Sequence, residues 1–452
     1  MNKIIYKRDD LLNCLMDIIF FCMFSVASWD LVGKIVIKSY SLRSFYFFEI
    51  VLFFLIFFLK KIKVKGFIGW KYFAVWTFFI GLWIPNTTIL VRNIGYFFWL
   101  LLSGLLLVIF SSFINKESVF TKIFRFYLYS FAIMAFIGCL QFLLGMFGIS
   151  LWTTQWWIPG IFPRINGFSY EPSYYGTYLI VGAIILYWLS FVQRVELIKF
   201  QKFFTFFIQS VVIICSSRMS ILILSSFISA MFLWEIYRSV KNKEFKKSAF
   251  NGILVSTLTI FLSLWFLWSY PRIINAGKSS KIILQGTGIN KTSPHSVKER
   301  LEAMCLTFQV FLKNPIIGVS LGGIPYHIAQ EKGVVIHTQK EAKKFEGINV
   351  LLEVLAASGI VGFVFFVLFF YEIFKTHFLI LRYPINKSVF YIANALGIAF
   401  IGEFLLLMLN QNILRPYFWV LLGFYISSLM LLKNNLYSKN GNGVVKTKEA
   451  KN

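Results

Sequence analysis

Residues 164–176 read RINGFSYEPSYYG, a polar, aromatic, proline-bearing stretch set between two long apolar runs. It places a cation, Arg164, and an anion, Glu171, at the point where a membrane span begins. Charge at the mouth of an apolar helix is costly to keep, so its default reading is functional. Pro172 fits the first turn of a helix, and Glu171 just before it complements the positive end of the helix dipole. Two readings of the pair stand side by side. In one, Glu171 is a helix cap and Arg164 an interfacial cation whose stem lies along apolar surface. In the other, Arg164 faces a phosphate or pyrophosphate, which its planar fork grips with two parallel bonds. Glu171 then faces a hydroxyl, as acceptor or general base.

Composition fixes the class around this stretch. With 58% hydrophobic, 19% aromatic and only 14% charged residues, a chain of 452 residues is not a water-soluble globule. The net charge of +26 falls in short clusters between apolar runs, the pattern of cytoplasmic loops and not of a nucleic-acid surface. The expected fold is an all-α polytopic membrane protein. A span takes about 20 apolar residues, and that yardstick gives about twelve. They centre on residues 11–28, 42–59, 67–84, 94–114, 122–148, 172–192, 202–216, 219–237, 250–269, 347–373, 388–409 and 416–432. The seventh and eighth are separated by Ser216, Ser217 and Arg218 alone, either a tight turn or a break within the membrane.

Domain organisation follows: a transmembrane domain over 1–433, a large external loop over 271–346 between the ninth and tenth spans, and a polar, disordered cytoplasmic tail over 434–452. The first apolar run lacks a small-residue cleavage site and reads as a retained helix. Lys60, Lys61, Lys63 and Lys65, then Arg238, Lys241, Lys243, Lys246 and Lys247, then the tail, fall on one side of the membrane. The other side holds Lys34, Lys38, Arg43, Arg92, Arg164 and Arg415 in its short loops. This asymmetry puts both termini in the cytoplasm and the 164–176 stretch outside. Of the five cysteines only Cys305 lies in a loop, so neither a disulfide framework nor a zinc site is readable.

Further candidates lie downstream. Arg218 sits in CSSRMS inside an apolar run, where an unpaired cation costs about 3 kcal/mol or more. It therefore finds an anion or water: as an ion pair to another helix, in a turn near the outer surface, or by completing an anion site with Arg164. In the external loop Leu301, Met304, Cys305, Phe308, Phe311 and Leu312 recur at helical spacing, an amphipathic helix that Arg300 begins and Asn314-Pro315 stops. His295, His327 and His337 do not make a metal motif, but His337 remains a candidate base. Asn349 stands at the mouth of the tenth span with Glu353 one turn deeper; Glu403, Asn410, Gln411, Asn412 and Arg415 gather near an outer helix end.

Taken in order, RINGFSYEPSYYGTYL, SSRMSILIL, RLEAMCLTFQVFLKNPIIGVSLGG and GINVLLEVLAASGIVG resemble the O-antigen ligase and polymerase superfamily of bacterial membrane glycosyltransferases. The triplet Glu171-Pro172-Ser173 is similar to O-antigen and capsular polysaccharide polymerases. Ligases carry a His-Asn pair where this chain has Ile348-Asn349, which lowers the ligase reading and leaves the base unassigned. The resemblance implies a metal- and cofactor-independent transfer between undecaprenyl-pyrophosphate-linked oligosaccharides, at the outer face of the bacterial cytoplasmic (inner) membrane. It implies that Arg164, Arg218 and Arg300 neutralise the pyrophosphate, and that Glu171 or His337 handles the attacking hydroxyl. Tyr174, Asn349 and Arg415 are the expected substrate-binding residues. A chain-length regulator and a flippase are the candidate protein partners, beside membrane lipid. An O-antigen ligase and a lipid-linked oligosaccharide flippase are the alternative functions.

Overall fold

Each anticipated apolar run forms a helix in the computed structural model, which describes residues 2–37, 40–85, 89–158, 162–242, 247–273, 294–383, 387–410 and 413–441. The chain opens with α1 (Asn2–Ser25), the two-stranded antiparallel β1 (Ile35–Ile37) and β2 (Tyr40–Leu42), and α2 (Ser44–Phe54), which a π-helical turn extends over Leu55–Leu59. Then come α3 (Trp70–Leu82), α4 (Leu90–Phe113), α5 (Glu117–Met146), the antiparallel pair β3 (Gln155–Ile158) and β4 (Phe162–Arg164), and α6 (Pro172–Tyr187) with a π-helical turn over Trp188–Gln193. Next are α7 (Gln201–Ile214), α8 (Arg218–Asn242) and α9 (Lys247–Ile273). The long segment between α9 and the next apolar helix holds α10 (Pro294–Lys313), α11 (Ile324–Glu331) and α12 (Gln339–Ala342). The chain closes with α13 (Val350–Leu381), α14 (Lys387–Asn410) and α15 (Pro416–Gly441).

Eight of these, α4, α5, α6, α8, α9, α13, α14 and α15, are long and apolar enough to cross a membrane. The fold is therefore an all-α polytopic membrane protein, with β-structure confined to two short hairpins among the described residues. Burial ranks the helices. The apolar windows of α6 and α15 are each 89% buried, while those of α8 and α9 are 28% and 22% buried. So α6 and α15 form the centre and α8 and α9 present their sides to lipid.

Small residues let the central helices approach, as is usual where lipid gives no hydrophobic drive. A Cβ at Gly138 of α5 would lie 2.1 Å from the Tyr175 hydroxyl, and one at Gly182 of α6 would lie 2.4 Å from the Phe131 ring. In that contact Tyr175 Oη donates to the Met134 carbonyl at 2.6 Å, and Tyr178 Oη shares a 2.8 Å bond with Ser130.

The segment between α9 and α13 is stitched into a span. α13 is interrupted at Gly359 (φ 62°, ψ −174°), a left-handed backbone that favours glycine. Residues 315–320 run into the break. Val319 N donates to Ala356 O at 3.0 Å, Ser320 N to Ala357 O at 2.8 Å and Ile360 N to Pro315 O at 2.8 Å. Non-helical backbone at this depth is tolerated because protein, not lipid, satisfies it.

Three boundaries differ from expectation. Pro271 lies in the last turn of α9 and not in the loop. The loop helix α10 starts at Pro294, so Arg300 lies within it and does not begin it. The supposed tail is helical through Gly441, because Leu436 packs on the core and Asn435 donates to Glu117 at 2.9 Å. Residues 274–293 within the expected external loop, Gln411, Asn412 and residues 442–452 lie outside the described residues.

Candidate functional site

The stretch at 164–176 is held by partners from two other elements. Gln141 of α5 is buried, and its Oε1 accepts from Asn166 N at 2.9 Å and Gly167 N at 3.0 Å. Asn166 Nδ2 donates to Ser169 O at 2.6 Å, closing the turn before α6. On the other side Asp30 N and Leu31 N donate to Phe168 O at 2.9 and 3.0 Å, and Ser169 Oγ donates to Ser28 O at 2.7 Å. These bonds bring Asp30, beyond the end of α1, against Tyr170 and Glu171.

The result is a cavity of about 390 Å³ at one end of the helix bundle. Its cations are Lys34, Arg43, Arg92, Lys343 and Arg415; its carboxylates are Asp30, Glu171 and Glu346. Tyr96, Trp99, Tyr170, Tyr174 and Gln339 complete the lining. Arg92, Arg415 and Tyr174 form the buried floor, whereas Lys34, Lys343 and Tyr170 are exposed at the mouth. Lys343, Gln339 and Glu346 come from the segment between α9 and α13, so that segment roofs the cavity.

Asp30 organises one wall. Arg415 Nη1 donates to both of its oxygens, at 3.0 and 2.8 Å, and Arg43 Nε lies 3.0 Å from Oδ1. Burial pushes the Asp30 carboxyl up, but Arg415, Arg43 and the Tyr170 N–H together hold it below its ordinary value. The Arg415 guanidinium is also stacked 3.6 Å from the Tyr174 ring centroid, which orients the cation over the first turn of α6. On the opposite wall Arg92 Nη2 donates to Glu346 Oε1 at 2.7 Å and to Tyr96 Oη at 2.6 Å.

These ties leave donors over. Arg43 Nη1, Arg92 Nε, Arg92 Nη1 and Arg415 Nε are buried without a hydrogen-bond partner among the described residues. A buried donor left unmet costs about 1–3 kcal/mol. Guanidinium groups with spare donors around a cavity suit an anionic ligand with several oxygens. Glu171 stands in the same lining, and its Oε2 accepts from Ser173 Oγ at 3.0 Å. It occupies the N-cap position of α6 in extended conformation without making the side-chain cap, so its carboxylate is not used up by the helix.

Of the residues singled out from sequence, Glu171, Tyr174 and Arg415 line the cavity. Arg164 and Arg218 lie together beside it. Arg164 Nη1 donates to Gln155 Oε1 at 2.7 Å and Nη2 to Ser216 O at 3.3 Å, within electrostatic reach of both Glu171 and Arg218. The break at Ser216–Ser217 is a tight turn, with Ser216 at φ 53°. Arg300 and Asn349 meet elsewhere, at the end of α14: Arg300 Nη1 donates to Leu409 O at 3.3 Å and Asn349 Nδ2 to Met408 O at 3.0 Å. Asn349 also caps α13, its Oδ1 accepting from Leu351 N at 2.9 Å and Leu352 N at 3.1 Å. His337 is exposed outside the cavity, its N–H donating to Glu341 at 2.9 Å.

Sequence reasoning missed Asp30, Lys343 and Glu346 as site residues and gave Arg43 and Arg92 no role beyond topology. A signal was present: four of the cations counted on the outer side, Lys34, Arg43, Arg92 and Arg415, converge on this one cavity. Among the described residues no group of three His, Cys, Asp or Glu side chains is placed to hold a metal ion. Compared with known proteins, the chain matches no family model, no curated sequence and no solved structure, so the reading of this cavity rests on its own chemistry.

Proposed function

We propose that this chain is a membrane glycosyltransferase, an O-antigen or capsular polysaccharide polymerase that joins polyprenyl-pyrophosphate-linked repeat units at the outer face of the bacterial cytoplasmic membrane. The observation that carries the reading is the cavity at the start of α6, where five cations surround Glu171 and buried guanidinium donors are left over. In this reading all of α1–α9 and α13–α15 cross the membrane, and both termini face the cytoplasm. The distribution of lysine and arginine between alternate loops supports that orientation.

The chemistry assigned to the cavity is a displacement at the anomeric carbon of the donor sugar. The bond from that carbon to the pyrophosphate oxygen breaks, and a bond to the acceptor's hydroxyl oxygen forms. Glu171 takes the hydroxyl proton. The leaving pyrophosphate carries away the negative charge, which Arg92 and Lys343 meet directly while Asp30 holds Arg43 and Arg415 in position. Tyr170, 53% exposed, offers a face for a sugar ring at the mouth.

The test is electrophoresis of surface polysaccharide from a deletion strain carrying the wild-type chain, Glu171→Gln or Lys343→Ala, with membrane levels matched. Wild type restores a ladder. Glu171→Gln leaves acceptor bearing a single repeat unit, and Lys343→Ala slows polymerisation by about 10²–10³-fold, the usual effect of removing one charge-stabilising donor. A normal ladder from Glu171→Gln removes the cavity from the mechanism. Lipid-linked polymer accumulating in the deletion strain transfers the assignment to a ligase, and repeat units held on the inner leaflet transfer it to a flippase.

A further inference from the structure

We propose that a second cavity, at the opposite end of α6, binds the phosphate-bearing headgroup of an anionic membrane lipid. From Pro172 to Gln193 this helix and its π-helical turn cover 22 residues, about 33 Å at 1.5 Å per residue. That is the thickness of a hydrocarbon core, so the two ends of α6 lie at the two membrane surfaces. The second cavity, of about 580 Å³, is lined by Ser190, Arg194, Glu196, Lys202, Lys247, Ser248 and Asn251.

Its charge is unbalanced. Among the lining residues Glu196 is the single carboxylate, and it is committed to Lys202 at 2.9 Å. Arg194 and Lys247 remain as the net positive charge of the cavity. Its wall is built before any ligand arrives. Gln201 is 1% exposed; its Oε1 accepts from Leu197 N at 2.8 Å, and its Nε2 donates to Ser190 Oγ at 3.0 Å and Val195 O at 2.8 Å. Left-handed backbone at Arg194 (φ 59°) and Phe200 (φ 60°) turns the chain sharply between α6 and α7, aided by the same glutamine. A fixed wall lowers the cost of ordering a ligand.

The surroundings select a lipid over a soluble phosphate. α7 packs against α9. Beside Asn251, α9 exposes Phe250, Leu254, Leu258 and Phe261 in a stripe at helical spacing that runs from the cavity lip into the membrane. Phe203 of α7 is also exposed near the lip, one residue past the cavity's Lys202. A headgroup in the cavity places its acyl chains on that apolar surface. Basic pockets between membrane helices on the cytoplasmic side are where anionic headgroups bind; the leaflet assignment rests on the topology given under the proposed function, while the cavity and its stripe do not.

The experiment uses delipidated full-length protein in nonionic detergent, with thermal unfolding read by tryptophan fluorescence. Phosphatidylglycerol raises the midpoint by about 3 °C or more, whereas phosphatidylcholine with the same chains and inorganic phosphate leave it unchanged. The Arg194→Gln/Lys247→Gln double variant unfolds at the wild-type temperature without lipid and loses the shift; the single exposed change Lys247→Glu at least halves it. Lys343→Gln, in the other cavity, keeps it. A phosphatidylglycerol shift that survives the double variant, or that phosphatidylcholine matches, overturns the proposal. An equal shift from inorganic phosphate overturns the lipid occupant in favour of a soluble one. Because the readout needs no polysaccharide synthesis, failure of the polymerase reading and failure of this one are separately visible.

Discussion

The two ends of α6 carry cavities that share a basic character and differ in construction. At the Pro172 end the cations are mainly arginines, sunk into the floor and tied to a carboxylate: Arg92 is 2% exposed, Arg415 7%. At the Gln193 end two of the three cations are lysines, and the ion pair Lys202–Glu196 has both side chains more than half exposed, at 58% and 59%. Burial changes what a charge does. In the first cavity each guanidinium is oriented by partners and poorly screened, which suits holding charge at a chosen point. In the second cavity water and salt screen the pair, which suits a headgroup that comes and goes.

The largest expected effect lies at the Pro172 end. Asp30→Ala leaves Arg415 and Arg43 buried without their shared anion and lowers stability by about 3–5 kcal/mol. Chemical or thermal unfolding of purified protein measures this; a loss under 1 kcal/mol would mean that the buried triad is not what fixes this wall. A smaller effect follows with pH. The Asp30 carboxyl is held below its ordinary value near 3.8, so its contribution is fully present above that value and is lost as pH falls through the depressed folded-state value. The unfolding midpoint of wild type therefore drops below about pH 4 by more than that of Asp30→Ala; parallel curves for the two proteins would break the assignment. The smallest effect belongs to the Gln193 end, where Lys202→Ala changes stability by less than about 1 kcal/mol at any salt concentration. A loss as large as that of Asp30→Ala would erase the contrast between the two cavities.

Much of this could be read in the chain. The helices follow from apolar run length, and α6 starts at Pro172 as the Glu171-Pro172 pair requires. Glu171, Tyr174 and Arg415 were visible because charge and aromatics at a helix mouth are conspicuous against an apolar background. Asp30 was not. It is one acid after an apolar run, and its importance comes from Arg43 and Arg415, the latter 385 positions away. Arg300 and Asn349 lie apart from the cavity for the complementary reason. A polar residue at a helix mouth looks the same in sequence whether it faces a cavity or, as here, bonds the last carbonyls of α14. The break in α13 at Gly359 was equally hidden, since a glycine in an apolar helix carries no mark of the segment that lies against it.

By itself the sequence determined that this is a polytopic helical membrane protein, because the cost of exposing backbone polar groups to lipid forces apolar runs of spanning length into helices. It also determined the sidedness expected of its loops, since basic residues are unevenly shared between them. Which helices are central, and which charges meet, only the tertiary structure decided. Charges brought together from the α1–α2 loop, the starts of α4, α6 and α15, and the α9–α13 segment form one cavity through packing and hydrogen bonds between segments far apart in the chain, which no local periodicity records.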